Sequence, residues 1–161
     1  MLRESHAHIH FEDAAAGLPA PLRSVRPPQL PYSIWQLVEH IRTTQWNILE
    51  FCRSAAHKSP EWPEGYWPEN QDNVDDETWE DSLKQIRRDR EEFIGLFNNP
   101  DVDIYIPFNY GSEETYIRLA LFIAGHTAYH TGQIVVIRRM LGAWDGSSSR
   151  FFSLFAQKKE L

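Results

Sequence analysis

The chain has 161 residues and a formal net charge of −7 at pH 7. This length suits one compact unit, so we predict a single domain over residues 1–161. A phosphate backbone requires a basic face, and the acidic balance therefore argues against nucleic acid as the main partner. The sequence has no uninterrupted apolar run of about 18 residues, so no membrane span is expected.

The redox and targeting features of the sequence indicate a cytoplasmic protein. Cys52 is the only cysteine, which excludes an internal disulfide and is compatible with a reducing compartment. The first twenty residues are rich in histidine and acidic side chains, and they do not resemble a signal peptide.

The N-terminal segment predicts a weak helix over residues 4–16, which Gly17 ends. His6 and His10 are four residues apart in this segment, and His8 lies between them. They form a rival candidate metal site. Because terminal segments are often mobile, we favour a solvated or interface cluster there.

The second segment has the clearest helix start in the sequence. Ser33 and Gln36 fit a capping box, and the helix is predicted to end near Ala56. Its apolar spacing predicts an inner face made of Leu37, His40, Ile41, Thr44, Ile48 and Phe51. His40 therefore lies on the face that meets the core. On the same helix, we favour a solvated Glu39 over one that orients an imidazole, and a buried, inert Cys52 over a thiolate ligand.

A long aromatic loop over residues 58–74 separates this helix from a third one over residues 75–97, whose predicted inner stripe is Trp79, Leu83, Ile86, Phe93 and Phe97. Loops of this length are often lids or binding segments. His57 precedes the loop and is expected at the surface. Alternating Ile104 and Ile106 predict a short extended piece over residues 103–107.

The fourth helix is predicted to begin at Ser112 or Thr115 and to end at Gly142. Residues three and four apart predict one inner stripe: Leu119, Phe122, Ile123, His126, His130, Gln133, Ile137 and Met140. The apolar tail over residues 151–155 follows this helix. We expect the tail to pack on the bundle or on a second subunit, and we predict a homodimer.

His126 and His130 lie one helical turn apart, so both imidazoles face the same side. In an all-α four-helix bundle, His40 from the second helix would meet them across the core. Three neutral histidines form an open site for one divalent metal ion, and Zn²⁺, Ni²⁺ and Fe²⁺ all accept imidazole. The alternative is that these are hydrogen-bonded core histidines without a metal.

The residues around the pair indicate which chemistry such a site would carry. Thr127 stands where the helix of a metalloprotease has its glutamate, so the built-in general base is missing. The sequence shows no Ser-His-Asp or Cys-His arrangement either. If the protein is an enzyme, its metal is expected to activate a small thiol or water.

Two motifs resemble the DinB-like (damage-inducible) metalloproteins. The first runs from Ser33 to His40, and the second is His126-x-x-Tyr129-His130-x-Gly-Gln. The resemblance implies a four-helix bundle with long crossover loops, often dimeric. It also implies one divalent metal ion held by His40, His126 and His130. Relatives include thiol S-transferases that use bacillithiol or mycothiol and a maleylpyruvate isomerase. Many relatives carry Asp where this chain has Gly125.

Three functions remain open at this point. The first is a metal-dependent enzyme for thiol S-transfer or for hydrolysis of a small electrophile. The second is a non-catalytic metal-binding or stress-response protein, in which the metal only stabilises the fold. The third is a dimeric scaffold without metal. Metal content separates the third from the other two, and activity with small thiols separates the first from the second.

Overall fold

The computed structural model describes residue 2, residues 8–110 and residues 113–144. Four α-helices appear in chain order, and these ranges contain no β-strand. They are α1 (Phe11–Ala15), α2 (Ile34–Arg53), α3 (Asp76–Leu96) and α4 (Tyr116–Met140), and a 3₁₀ turn (Ala20–Leu22) follows α1. The protein is an all-α bundle, as the sequence predicts.

The long helices begin at polar residues that cap their free backbone amides. Ser33 and Gln36 form the predicted capping box at the start of α2. The Asp75 side chain accepts from the backbone N–H of Thr78 at the start of α3, and Thr115 caps α4 in the same way. Each cap satisfies one of the amides that a helix start leaves without a partner.

Helix α2 is the centre of the bundle, because it packs against both α3 and α4, and α1 packs against α4. Its predicted inner face is buried except for Phe51, which is half-buried. Among the described residues, the core has two clusters. The larger one joins α1, the N-terminal halves of α2 and α3 and the C-terminal half of α4. The smaller one, near the other end of α2, includes Leu49, Phe93, Leu119 and Ile123.

Helix α1 is much shorter than the predicted helix over residues 4–16. It has five residues, and residues 4–7 lie outside the described ranges. A helix this short is unstable by itself, so burial of its apolar residues must support it. The buried Arg138 of α4 also donates from Nη1 to the backbone oxygens of Ala14 and Ala16, 2.7 Å away in both cases. Tertiary contacts therefore hold α1 in place.

The extended piece predicted over residues 103–107 is wrong, since this segment forms a turn. The Asp103 carboxylate accepts from the backbone N–H of Tyr105 at 2.9 Å. Short polar side chains commonly start turns in this manner, and here the local bond outweighs the alternating apolar pattern.

The predicted inner stripe of α4 is correct for most of its length but wrong at Phe122 and Met140, which are both 53% exposed. The predicted end of α2 is also three residues too late, because the helix stops at Arg53. No helix among the described residues is long and apolar enough to cross a bilayer.

Candidate metal site

Three histidines from two helices meet beneath the loop that joins α2 and α3. His40 comes from α2, and His126 and His130 come from α4. Nε2 of His126 lies 3.0 Å from Nε2 of His40. One nitrogen from each of the three rings lies within 4.8 Å of the other two. The residues chosen from sequence spacing are therefore close enough together to hold one ion.

Two of the imidazoles are oriented by hydrogen bonds from their Nδ1 atoms. His40 Nδ1 is 3.0 Å from the backbone oxygen of Tyr66, and His130 Nδ1 is 2.6 Å from Oε1 of Gln133. Both acceptors are oxygens, so each Nδ1 carries the proton and each Nε2 keeps a lone pair. Gln133 is held in turn, because its Nε2 donates to the Tyr32 hydroxyl at 2.8 Å. This is the usual way in which proteins orient metal-binding histidines.

The site favours neutral imidazoles. Burial, followed by the neighbouring His130 and His40 rings, lowers the pKa of His126 to about 3. Burial also lowers the pKa of His40 and of His130, although their hydrogen bonds to Tyr66 and Gln133 act in the opposite direction. At neutral pH the rings therefore present lone pairs, which a cation can accept.

Aromatic rings from the α2–α3 loop cover the histidines. The Trp67 ring stacks on His40 with centroids 3.9 Å apart and an interplanar angle of 8°. It also meets the His130 ring edge-on at 6.0 Å. Trp62, 69% exposed, lies further out at 6.5 Å from His40. The loop thus places one indole directly against the site and another at its rim.

The loop is anchored to α2 by polar contacts near the site. The Asn47 side-chain amide donates to the Tyr66 hydroxyl at 2.9 Å, and its Oδ1 lies 2.8 Å from Nε2 of His57. A tight turn at Gly65 precedes Tyr66. A Cβ atom at Gly65 would lie 2.5 Å from Cβ of Pro60, so this close approach requires glycine. The turn thereby sets the position of the Tyr66 carbonyl that His40 contacts.

A pocket of about 360 Å³ opens beside His40 and His126, and its other lining residues are Thr44, Asn47, Ile48, Pro60, Trp62, Tyr66 and Phe122. A second pocket of about 320 Å³ shares Asn47, Ile48 and Phe122 with the first, and it extends toward Arg118. The two form one groove between α2 and α4. The walls are mainly apolar and contain few polar groups, as is typical of small-molecule sites.

The rival histidines do not assemble a site among the residues that the structure describes. His8 is exposed, His10 is half-buried before α1, and His6 lies outside the described ranges. His57 lies in the loop after α2 and is half-buried against Asn47 and the Trp46 ring, so it is less exposed than expected.

Two expectations about α2 have different outcomes. Cys52 is 7% exposed, and burial raises the pKa of its thiol to about 12, which confirms that it is buried. Glu39 is only 8% exposed, so the expectation of a solvated side chain is wrong. Arg42 donates two hydrogen bonds to the Glu39 carboxylate, each 2.8 Å long, and this ion pair compensates the buried charge.

Several residues that shape the site could not be identified from spacing. Tyr66 and Trp67 contribute through a loop, where no periodicity shows which side chains turn inward. The Trp-Pro-Glu-Gly-Tyr-Trp-Pro run was the available signal, because it concentrates aromatic residues around one glycine. Gly125 is exposed, and a Cβ there would meet no atom within 4 Å.

Comparison with known proteins identifies a family. The family model described as the DinB superfamily matches residues 8–134, which is most of the chain and includes all three clustered histidines. No curated protein and no solved structure matches the chain.

Proposed function

Because the chain belongs to the DinB superfamily, we propose that His40, His126 and His130 bind one divalent metal ion in an open site. The observation that carries this proposal is the convergence of three imidazole nitrogens, two of them on rings oriented by Tyr66 and Gln133. Three protein ligands leave room for water or substrate, as in catalytic sites. Zn²⁺, Ni²⁺ and Fe²⁺ all suit an imidazole donor set.

The spacing of the His40 and His126 nitrogens fits a shared ion. Two nitrogens that each lie about 2.1 Å from one ion would be separated by 3.0 Å, as in His40 and His126, when they subtend about 90° at the metal. The competing explanation is a direct hydrogen bond between the two rings. That bond needs a proton on one Nε2, and His40 already has its proton on Nδ1 facing Tyr66. The proton would then have to be on His126.

We further propose that the groove beside His126 binds a small electrophile and that the reaction is thiol S-transfer or hydrolysis. A bound divalent cation lowers the pKa of a thiol or water and supplies the nucleophile at neutral pH. The protein residues position and enclose the reactants: Trp62 and Phe122 offer apolar walls, and Asn47 offers a polar contact. With an aryl chloride as the electrophile, sulfur bonds to carbon, chloride leaves, and the thiol proton passes to solvent.

A second candidate function is non-catalytic metal binding, for example in a stress response. The specific observation in its favour is that the lining of the pocket beside His40 contains no carboxylate, lysine or cysteine. That pocket thus provides no general base besides the imidazoles themselves, and the Glu114 carboxylate lines only the second pocket of the groove. In either function, we place the protein in the reducing cytoplasm on the grounds of its single cysteine.

Metal analysis of the untagged chain tests the site. After equilibration with Zn²⁺, Ni²⁺ or Fe²⁺ in turn and removal of excess, we expect about one equivalent per chain of at least one metal. Alanine at His40, His126 or His130 should each lower this content, while His10→Ala should leave it unchanged. A metal-free wild type, or a metal lost from His10→Ala and retained in the other three variants, would refute the proposal.

Activity separates the two candidate functions. The loaded protein is incubated with 1-chloro-2,4-dinitrobenzene and a panel of small thiols, and product formation is followed by absorbance. Rates above those of His126→Ala and of free metal support the enzyme. A loaded wild type that matches His126→Ala with every thiol, and also fails to hydrolyse model esters, favours the non-catalytic function.

A further inference from the structure

The outward face of α4 is apolar, although the outward face of a surface helix is usually polar. Leu121, Tyr129, Val136 and Met140 are between 51% and 65% exposed. Gly125 and Gly132 are exposed on the same face, at intervals of three or four residues from these side chains. Charged residues are absent from residues 119–137, in a chain whose net charge is −7. We call these six residues the α4 outer face.

The two glycines have no evident purpose within one subunit. A Cβ atom at Gly125 or Gly132 would meet no atom within 4 Å, so the fold has room for a side chain at both positions. Glycine also weakens a helix interior relative to alanine. Packing within one subunit therefore does not require glycine at either position, and both glycines leave room for a surface that approaches the helix from outside.

The α4 outer face is complementary to a second copy of itself that runs in the opposite direction. Turning the helix end for end about the point between His130 and Thr131 exchanges Leu121 with Met140, Gly125 with Val136, and Tyr129 with Gly132. In two of these exchanges a bulky side chain meets a glycine. A two-fold interface requires this self-complementarity, and alternating large and small residues let the surfaces interlock. We propose that a second copy of this chain docks here, with the two α4 helices antiparallel in this register.

The absence of charge on the α4 outer face also favours a second copy of this chain as its partner. Two chains of like charge repel, and a face without acidic or basic residues lets them approach. The same reversal exchanges Phe122 with Arg139, which is exposed at the end of α4. Arg139 of the partner subunit therefore comes over the Phe122 ring, and a guanidinium above an aromatic face is attractive. Phe122 also stacks on His126 at 5.6 Å, so the dimer supports the outer wall of the groove.

The size of the face sets the strength of the dimer. Helix α4 has nine exposed residues, whereas a standard interface uses about 20–30 residues on each side. The dimer should therefore dissociate on dilution. Formation of the dimer does not depend on metal at the histidines, so failure of the metal proposal leaves this inference standing.

Sedimentation velocity of the full chain over a hundredfold range of concentration tests the dimer. We expect a monomer–dimer equilibrium whose dissociation constant rises at least about tenfold in Gly132→Gln. At a concentration where the wild type is monomeric, the same variant should unfold at an equal or higher temperature, because the site has open space and glutamine favours helix more than glycine. Gly95→Gln on α3, at another exposed glycine with open space around it, is the matched control and should leave the equilibrium unchanged. A wild type that stays monomeric, or a dimer indifferent to Gly132→Gln, would overturn the proposal.

Compensating charges test the register. Val136→Glu alone should weaken the dimer at least about tenfold, because it buries a charge opposite Gly125. Adding Gly125→Arg should restore most of the affinity. In the proposed dimer, position 125 of each subunit lies opposite position 136 of the other, so two opposite-charge pairs form. Adding Gly132→Arg instead should restore none. Rescue by Gly132→Arg, or by neither arginine, contradicts the antiparallel register.

Discussion

His130 Nδ1 donates to Oε1 of Gln133 across 2.6 Å, within one turn of α4. The acceptor is itself held by the Tyr32 hydroxyl, which lies before α2. The orientation of the ring therefore depends on a chain of contacts that runs from α4 to the segment before α2.

Gln133→Leu should lower metal affinity by about 10–100-fold, because partners that orient metal-binding histidines typically contribute this much. Tyr32→Phe, which removes only the outer hydroxyl, should cause a smaller loss in the same direction. Competition titrations against a chromophoric chelator measure both. Tyr105→Phe removes a hydroxyl from a residue that is 72% exposed and is the control. Unchanged affinity in Gln133→Leu would show that this bond does not position His130.

Gly65→Ala should disturb the site from a distance. Its new Cβ would lie 2.5 Å from Cβ of Pro60 and 2.8 Å from the Glu61 carbonyl oxygen, so the turn must open. We expect a cost of about 1–3 kcal/mol in the free energy of unfolding, together with weaker metal binding as the Tyr66 carbonyl moves from His40. Gly95→Ala is the control and should stabilise α3 by about 0.5–1 kcal/mol. Chemical denaturation measures both, and equal effects in the two variants would contradict the role of the turn.

Cys52 should resist thiol reagents in the native protein. Burial raises the pKa of its thiol to about 12, so almost no thiolate is present at pH 8. Labelling with 5,5′-dithiobis(2-nitrobenzoic acid) should be slow in buffer and fast in denaturant. Cys52→Ser should keep the metal and any catalytic activity. Loss of activity in this variant, with metal content and fold intact, would place the nucleophile on the protein.

Asp89 should make stability depend on pH. Burial raises the pKa of its carboxyl, and Oδ2 has no hydrogen-bond partner among the described residues. The hydrogen bond from Gln85 and the charges of Arg88 and Arg42 lower this pKa, and Glu92 raises it. For an acid whose pKa is higher in the folded state, the contribution to stability is complete below the unfolded pKa of about 3.9 and is lost as pH rises through the folded value.

Asp89→Asn removes this titration. The free energy of unfolding of the variant, relative to that of the wild type, should therefore increase as pH rises from about 3.9 through the folded pKa. Urea denaturation at a series of pH values measures the difference. Asp81→Asn removes the same charge from an exposed position of α3 and is the matched control. An identical pH response in the two variants would contradict the effect of burial.

The sequence predicted the helices and histidines that depend on local pattern. The Ser33–Gln36 capping box and the four-residue spacing of His126 and His130 are local signals, and both are confirmed in position. The inner side of α4 was harder to predict, because apolar residues such as Leu121 and Val136 also occupy its outer side. Periodicity identifies a face only when the opposite face is polar, and this explains the errors at Phe122 and Met140.

The loop over the site depended on contacts between residues far apart in sequence. The distance from Asn47 to Tyr66, or from His40 to the Tyr66 carbonyl, follows from the folded path of the chain and not from spacing. The length of helix α1 was overestimated for a related reason. Its stability comes from packing and from Arg138, and neither leaves a signal near residues 4–16.

The hydrogen bond from Arg138 to Ala14 joins residues that are 124 positions apart in the sequence. This separation affects the order in which the helices pack during folding. The guanidinium can meet the α1 carbonyls only when the last turn of α4 is in place, so we expect α1 to dock late in folding. The same Nη1 atom bonds Ala16, and Nε donates to the Ala143 oxygen. One side chain therefore joins the first helix to the end of the fourth. Amide protons in α1 and in the final turn of α4 should exchange with solvent together, as one cooperative unit that opens before the centre of α2.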